Sequence, residues 1–163
     1  MTARHHTLLL FSSADRIFAL PLAQIQEVVP AFEIKVTPGL ADMIAGLISF
    51  RGRVLPVIDC RRCVDASPTV LHPHQSFIIA RGDQREAALL VEHVDDLITL
   101  NEDDFNNDGI LEAPDQKFRH VVMHAGEMVL VLNIDACFQS THLPPIAVAY
   151  RDEPVAQGTI REY

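Results

Sequence analysis

Three stretches carry residue types capable of chemistry. Cys60-Arg61-Arg62-Cys63 is a C-x-x-C. Two thiols at that spacing can cycle through a disulfide where a helix follows a strand, or supply half of a tetrahedral zinc site. Cys137, His72 and His74 are the residues available to complete a zinc site. The second stretch, Asp104-Phe105-Asn106-Asn107-Asp108-Gly109, reads D-x-N-x-D-G, the opening of a calcium loop. Leu111 suits the apolar eighth position, but the twelfth is the shorter Asp115, and Pro114 stands where the exiting helix should begin. This stretch therefore reads as an acidic, solvated loop. The third is Arg51-Gly52-Arg53, in the middle of the apolar run Gly46–Cys60, "GLISFRGRVLPVIDC". A tight turn needs the positive φ that Gly52 supplies. It does not need two arginines, which on local grounds only dissolve the tip. His120 and His124 are spaced i, i+4 but fall in an expected strand, which sets them on no shared helical face. No G-x-S-x-G elbow surrounds Ser12, Ser13, Ser49, Ser67, Ser76 or Ser140, and the seven glycines are dispersed rather than gathered into a phosphate loop.

The elements that must position these residues are mostly short strands. Thr7–Phe11, Arg16–Leu20, Glu33–Val36, Gly46–Phe50 and Arg53–Ile58 form one set. Ser76–Arg81, Ala87–Val91, Asp96–Leu100, His120–His124 and Met128–Leu132 form a second. Val, Ile, Leu and Phe dominate them, and Ala14-Asp15, Pro38-Gly39, Arg51-Gly52, Gly82-Asp83 and Ala125-Gly126 separate them as turns. Such close spacing predicts an all-β chain of small barrels or a sandwich, not a parallel α/β sheet. Leu22–Val29 has apolar residues at spacings shared by helix and strand. Leu40–Ala45 fits one or two helical turns, and Asp135–Gln139 a short helix. Val64–His74, with two prolines and no periodicity, reads as a linker between two β units of about five strands each. No close internal repeat is visible. The tail Leu143–Tyr163, with three prolines and mixed charge, is expected to run extended or partly disordered.

Composition bounds the function. The chain has 163 residues, enough for one domain or two small ones sharing a core. With 48% hydrophobic residues it should fold, and with no Trp and only two Tyr its core must be aliphatic with Phe for bulk. Thirteen basic against 22 acidic residues give a net charge of −9, and the bases are scattered. That balance argues against nucleic-acid binding and a polybasic membrane contact. No apolar run approaches the roughly 20 residues of a membrane span. The apolar stretch in "MTARHHTLLLFSSADR" is too short for a signal peptide. An odd count of three cysteines suits a reducing compartment. The expectation is a cytoplasmic protein with no bound metal or cofactor.

These residues resemble a known family. "GLISFRGRVLPVIDCR" is similar to the signature of the CheW-like coupling proteins of bacterial chemotaxis, with Gly46, Arg51, Gly52, Pro56, Asp59 and Arg61 at matching places. "FALPLAQIQEVVP", "ALLVEHVDDLITL" and "MVLVLNIDACF" resemble the family's flanking segments in order, so the likeness runs from about Leu8 to Phe138. The chain departs at Ser49 and Phe50, where the family has Asn and Leu, and at Glu92-His93, where Asp-Gly is usual. A glycine common near the last hairpin has no counterpart in "FRHVVMH".

The resemblance implies two small five-stranded β-barrels packed together with a few short helices. It implies one domain over residues 1–142, its two subdomains joined near 64–75, and an extension over 143–163. It implies no catalysis. The partners would be the regulatory domain of the histidine kinase CheA and the cytoplasmic helical-hairpin tip of methyl-accepting chemoreceptors. The protein would be recruited to receptor arrays at the inner membrane without inserting into it. Carried over, the family's Glu–Arg pair is Glu27 and Arg51, and the planar guanidinium fork can hold the carboxylate and still present edges to a partner. Ile25, Val28, Phe50, Phe77 and Leu97 are apolar neighbours that would supply affinity if exposed; the other reading makes all five core. Gly46, Gly52, Pro56 and Asp59 would shape turns. Cys60 falls at an aliphatic position of the signature, which makes it a small buried hydrophobe. Two alternatives stay open: a divergent scaffold of a non-motility chemosensory pathway, and a metal- or thiol-dependent protein using Cys60 and Cys63.

Overall fold

A computed structural model describes residues 4–40, 42–64, 70–102 and 118–138. Ten strands run in chain order: β1 (His5–Ser13), β2 (Arg16–Pro21), β3 (Ile25–Pro30), β4 (Ile44–Phe50), β5 (Arg53–Asp59), β6 (Ser76–Arg81), β7 (Glu86–Val91), β8 (His93–Asn101), β9 (Phe118–His124) and β10 (Glu127–Leu132). Short 3-10 turns cover Leu22–Gln24, Cys60–Cys63 and Asp135–Phe138. No helix among the described residues is long and apolar enough to cross a membrane.

The strands form two five-stranded sheets. Sheet I has the order β8-β1-β2-β10-β9 and sheet II the order β3-β6-β7-β5-β4. Read in those orders, the pairings are the same in both: two antiparallel, one parallel (β2 with β10, β5 with β7), then one antiparallel. Each sheet is thus one arrangement, with the chain order cyclically shifted. The correspondence extends to residues: Ile58-Asp59 and Ile134-Asp135 each lead from a parallel-paired strand into a 3-10 turn.

Core packing explains the continuous apolar strands. In β7, Ala87, Leu89 and Val91 join a core between the sheets, while Ala88 and Leu90 face a second core inside sheet II. In β1, Leu9 and Phe11 face the inter-sheet core and Leu8 and Leu10 a third core inside sheet I. A strand covered on both faces has no polar side to alternate with. Phe11 and Phe18 stack in the inter-sheet core, and neither has any solvent exposure.

Sheet II is closed by its two edges approaching each other. Past β3 the chain crosses to β4, where Lys35 and Leu47 exchange both backbone hydrogen bonds, at 2.8 and 2.9 Å. Gly46 permits this. A Cβ there would lie 2.3 Å from the Lys35 carbonyl oxygen. The sheets are also fastened to each other. The Asp135 carboxylate, after β10, accepts the backbone N–H groups of Asp83, Gln84 and Arg85 in the β6–β7 turn at 2.7, 3.1 and 3.0 Å.

Several expectations are corrected. The expected junction near 64–75 does not separate the sheets: β5 before it and β6 after it both belong to sheet II. The chain changes sheet instead at Leu22–Gln24 and at Glu92, because long-range pairing of β8 with β1 completes sheet I from both ends of the chain. Leu22–Val29 resolves into a 3-10 turn and β3. Glu33–Val36 contributes only the Lys35 bridge, and Asp42 and Met43 are turn rather than helix. Gly46 and Pro56 are not at turns. Gly46 sits within β4 beside a register shift, and Pro56 lies mid-strand in β5. Its pairing with Leu47 aims the missing N–H at β7, where the parallel ladder begins only at Val57. The loop 104–115 and the tail 143–163 lie outside the described residues.

A projecting arginine–glutamate pair on sheet II

The β4–β5 hairpin ends in a two-residue tip, Arg51 (φ +48°) and Gly52 (φ +80°). Positive φ at both central residues matches strand twist in the tightest hairpins. Ala125-Gly126 makes the same tip on β9–β10, so a left-handed residue before glycine belongs to the fold rather than to Arg51 alone. Arg51 is distinguished by its contacts. Its Nη1 lies 2.7 Å from Glu27 Oε1, and its Nη2 donates to Glu27 Oε2 at 2.7 Å. The guanidinium also lies over the Phe50 ring, 4.9 Å from its centroid. The Arg51 side chain is 66% exposed and that of Glu27 29%. Two parallel hydrogen bonds fix the plane of the fork while most of it faces solvent. In the open such a pair contributes only about 0–1 kcal/mol to stability. Its structural effect is to join the hairpin tip to β3, the opposite edge of sheet II.

The other expected residues divide. Val28 is 42% exposed and follows Glu27 on β3. Ile25 is half-buried and packs on the inter-sheet core. Phe50 is buried in the sheet II core, with Arg51 lying over its ring. Phe77 is fully buried, set edge-on to Phe32 at 5.0 Å, and is removed from the exposed set. Leu97 is 55% exposed but belongs to β8 of sheet I. Asp59 is buried and caps the 3-10 turn by accepting the Arg61 N–H at 3.0 Å.

One feature is not readable from composition or spacing. Arg53, which local reasoning leaves as a solubilising charge, donates through Nη1 to Glu86 Oε2 on β7. Gln26 Nε2 donates to the same oxygen at 2.8 Å. Glu86 merely opens an apolar run, and nothing local marks it.

The C-x-x-C gives no exposed thiolate. Cys60 has no solvent exposure, and burial, then the neighbouring Cys63 and Asp59, push its thiol well above the usual range. The Cys63 Sγ lies 3.8 Å from Met43 Sδ. All three cysteines belong to the inter-sheet core. Among the described residues no group of three or more His, Cys, Asp or Glu could hold a metal ion.

A second polar cluster lies where the chain crosses between sheets. Glu92 Oε1 accepts Arg61 Nη2 at 2.7 Å and the Ala14 N–H at 3.3 Å. The hydrogen bond from Arg61 holds the Glu92 carboxyl below its ordinary value. A lowered folded-state value means that its contribution is present above the unfolded value, near 4.3, and is lost as pH falls through the folded one. The Glu92→Gln variant should therefore melt below the parent above about pH 5, by no more than about 1 kcal/mol. That difference should shrink toward acid pH in paired thermal melts; a gap that widens on acidification would contradict the pairing.

Comparison with known proteins agrees with this architecture. Residues 7–142 match the CheW-like domain. The chemotaxis protein CheW of Rhizobium meliloti (strain 1021) is 28% identical over 138 residues, 82% of this chain and 87% of that protein. Protein PilI of Pseudomonas aeruginosa is 26% identical over 139 residues, 85% of this chain and 78% of that one. The fold is similar to the crystal structure of scaffolding protein TtCheW from Thermoanaerobacter tengcongensis, with a TM-score of 0.68 at 20% identity, covering 80% of this chain and 86% of that chain. With the match spanning nearly all of the two-sheet body, the chain belongs to the CheW-like domain family.

Proposed function

We propose that this protein is a non-catalytic scaffold that couples chemoreceptors to a CheA-type histidine kinase. Family membership supports the adaptor role, and the name of the Rhizobium meliloti relative supports chemotaxis over a non-motility pathway. The observation that carries the docking reading is the bidentate Glu27–Arg51 pair, fixed in geometry yet exposed at a hairpin tip. The kinase regulatory domain docks at this edge of sheet II, where Arg51 sets orientation and Val28, on the opposite face of β3 from Glu27, adds apolar contact. Leu97, on sheet I, serves a separate contact with the receptor tip. Recruitment to receptor arrays follows from these contacts and needs no membrane-spanning segment in this chain.

Isothermal titration of the purified protein against the cognate kinase regulatory domain, and separately against a receptor-tip fragment, tests the proposal. Saturable one-to-one binding to each is expected, in the micromolar range or tighter. Absence of binding to both would remove the coupling role.

A further inference from the structure

The docking pair has a second support beneath it, and Glu86 is its centre. The register of β3 on β6 shifts between Ile25 and Glu27, so Gln26 is an extra residue, a β-bulge. That bulge puts the Gln26 amide within 2.8 Å of Glu86 Oε2. Arg53 reaches the same oxygen from the other side. Gln26 is the residue before Glu27, and Arg53 is two residues after Arg51, across Gly52. One carboxylate oxygen therefore holds the neighbours of both members of the pair. The Glu86 side chain is only 12% exposed, against 66% for Arg51. The anchor is sheltered from solvent screening and the pair it supports is not.

We infer that Glu86 is a positioning residue for docking. Through Gln26 and Arg53 it sets the spacing between β3 and the hairpin tip, and so the orientation in which Arg51 is offered to a partner. The exposed Glu27–Arg51 pair joins β3 to the hairpin tip directly, and Glu86 of β7 joins them a second time, by an ion pair to Arg53 and an amide hydrogen bond from Gln26. The sheltered tie limits the tip's rocking, and a fixed fork loses less freedom when a partner docks. This inference rests on the docking role proposed for Arg51.

Glu86→Gln tests it, because glutamine keeps the shape while removing the charge that strengthens both hydrogen bonds. Binding to the purified kinase regulatory domain should weaken about 3- to 10-fold. The Nη–H resonances of Arg51, which carry the two hydrogen bonds to Glu27, should lose protection from exchange when observed by NMR at low temperature without any partner. In an Arg51→Ala background the same change should add little, since residues acting through one another are not additive. An unchanged Arg51 resonance and unchanged binding in Glu86→Gln, with Arg51→Ala still impaired, would overturn the positioning role and leave the docking reading standing. An equal loss in both backgrounds would also overturn it, because Glu86 would then act independently of Arg51. Arg51→Ala binding as well as the parent would remove the docking reading and the inference together.

Discussion

Gly46→Ala is expected to destabilise the protein by at least about 3 kcal/mol, a large effect for one methyl group. The added Cβ would lie 2.3 Å from the Lys35 carbonyl oxygen and 2.9 Å from its carbonyl carbon. Both atoms are backbone, so no side chain can rotate away. The conflict falls on the bridge where Lys35 and Leu47 exchange two hydrogen bonds, the contact that closes sheet II. Relief requires the segment after β3 to separate from β4. That separation leaves two backbone pairs unmade and admits water beside a core containing Ile48, Leu55 and Phe77, each no more than 1% exposed. The φ of +156° adds strain for any side chain. In a thermal melt the change should lower the midpoint by roughly 10 °C. Gly52→Ala is the control. It also has a positive φ, but a Cβ there meets nothing within 4 Å, so it should cost only about 1 kcal/mol. Equal melting of the two variants would show that barrel closure does not depend on Gly46.

Arg51→Glu should have the largest effect on function. It leaves the tip's left-handed backbone as it was and sets a second carboxylate beside Glu27. The pair itself contributes little stability, so the melting midpoint should move by only a few degrees. Binding of the kinase regulatory domain should fall at least tenfold, about 1.4 kcal/mol. Arg51→Asn separates charge from conformation, since Asn tolerates the left-handed region well. It should match or exceed the parent in stability and still bind poorly. An Arg51→Asn protein that binds normally would assign the tip's role to its backbone shape.

The strands were legible because burial on both faces makes them continuous apolar runs between turn residues; Ala87–Val91 and Ser76–Arg81 stand out for this reason. β3 was ambiguous. Its spacing also fits a helix, and although its burial alternates residue by residue its residue types do not, since Gln26-Glu27 are both polar and Val28-Val29 both apolar. The division into sheets was not legible. Pairing β8 with β1 joins residues about half the chain apart, and a proline-bearing linker looks locally like a domain boundary. The Glu27–Arg51 pair was legible only through family resemblance, because residues 27 and 51 share no local pattern. The Glu86 contacts depend on a bulge, a turn and a strand end together, and no run of residues encodes that. Phe77 shows the converse limit: in a strand covered on both faces, residue type does not say which face looks outward.

The most direct test of the scaffold account is the charge reversal Arg51→Glu with Glu27→Arg, measured against the cognate kinase regulatory domain beside Arg51→Glu alone. The account predicts that the single change abolishes most binding and that the double change recovers part of it, because the pair is rebuilt with its ends exchanged. Full binding by the single variant, or no recovery by a double variant that melts like the parent, would contradict it.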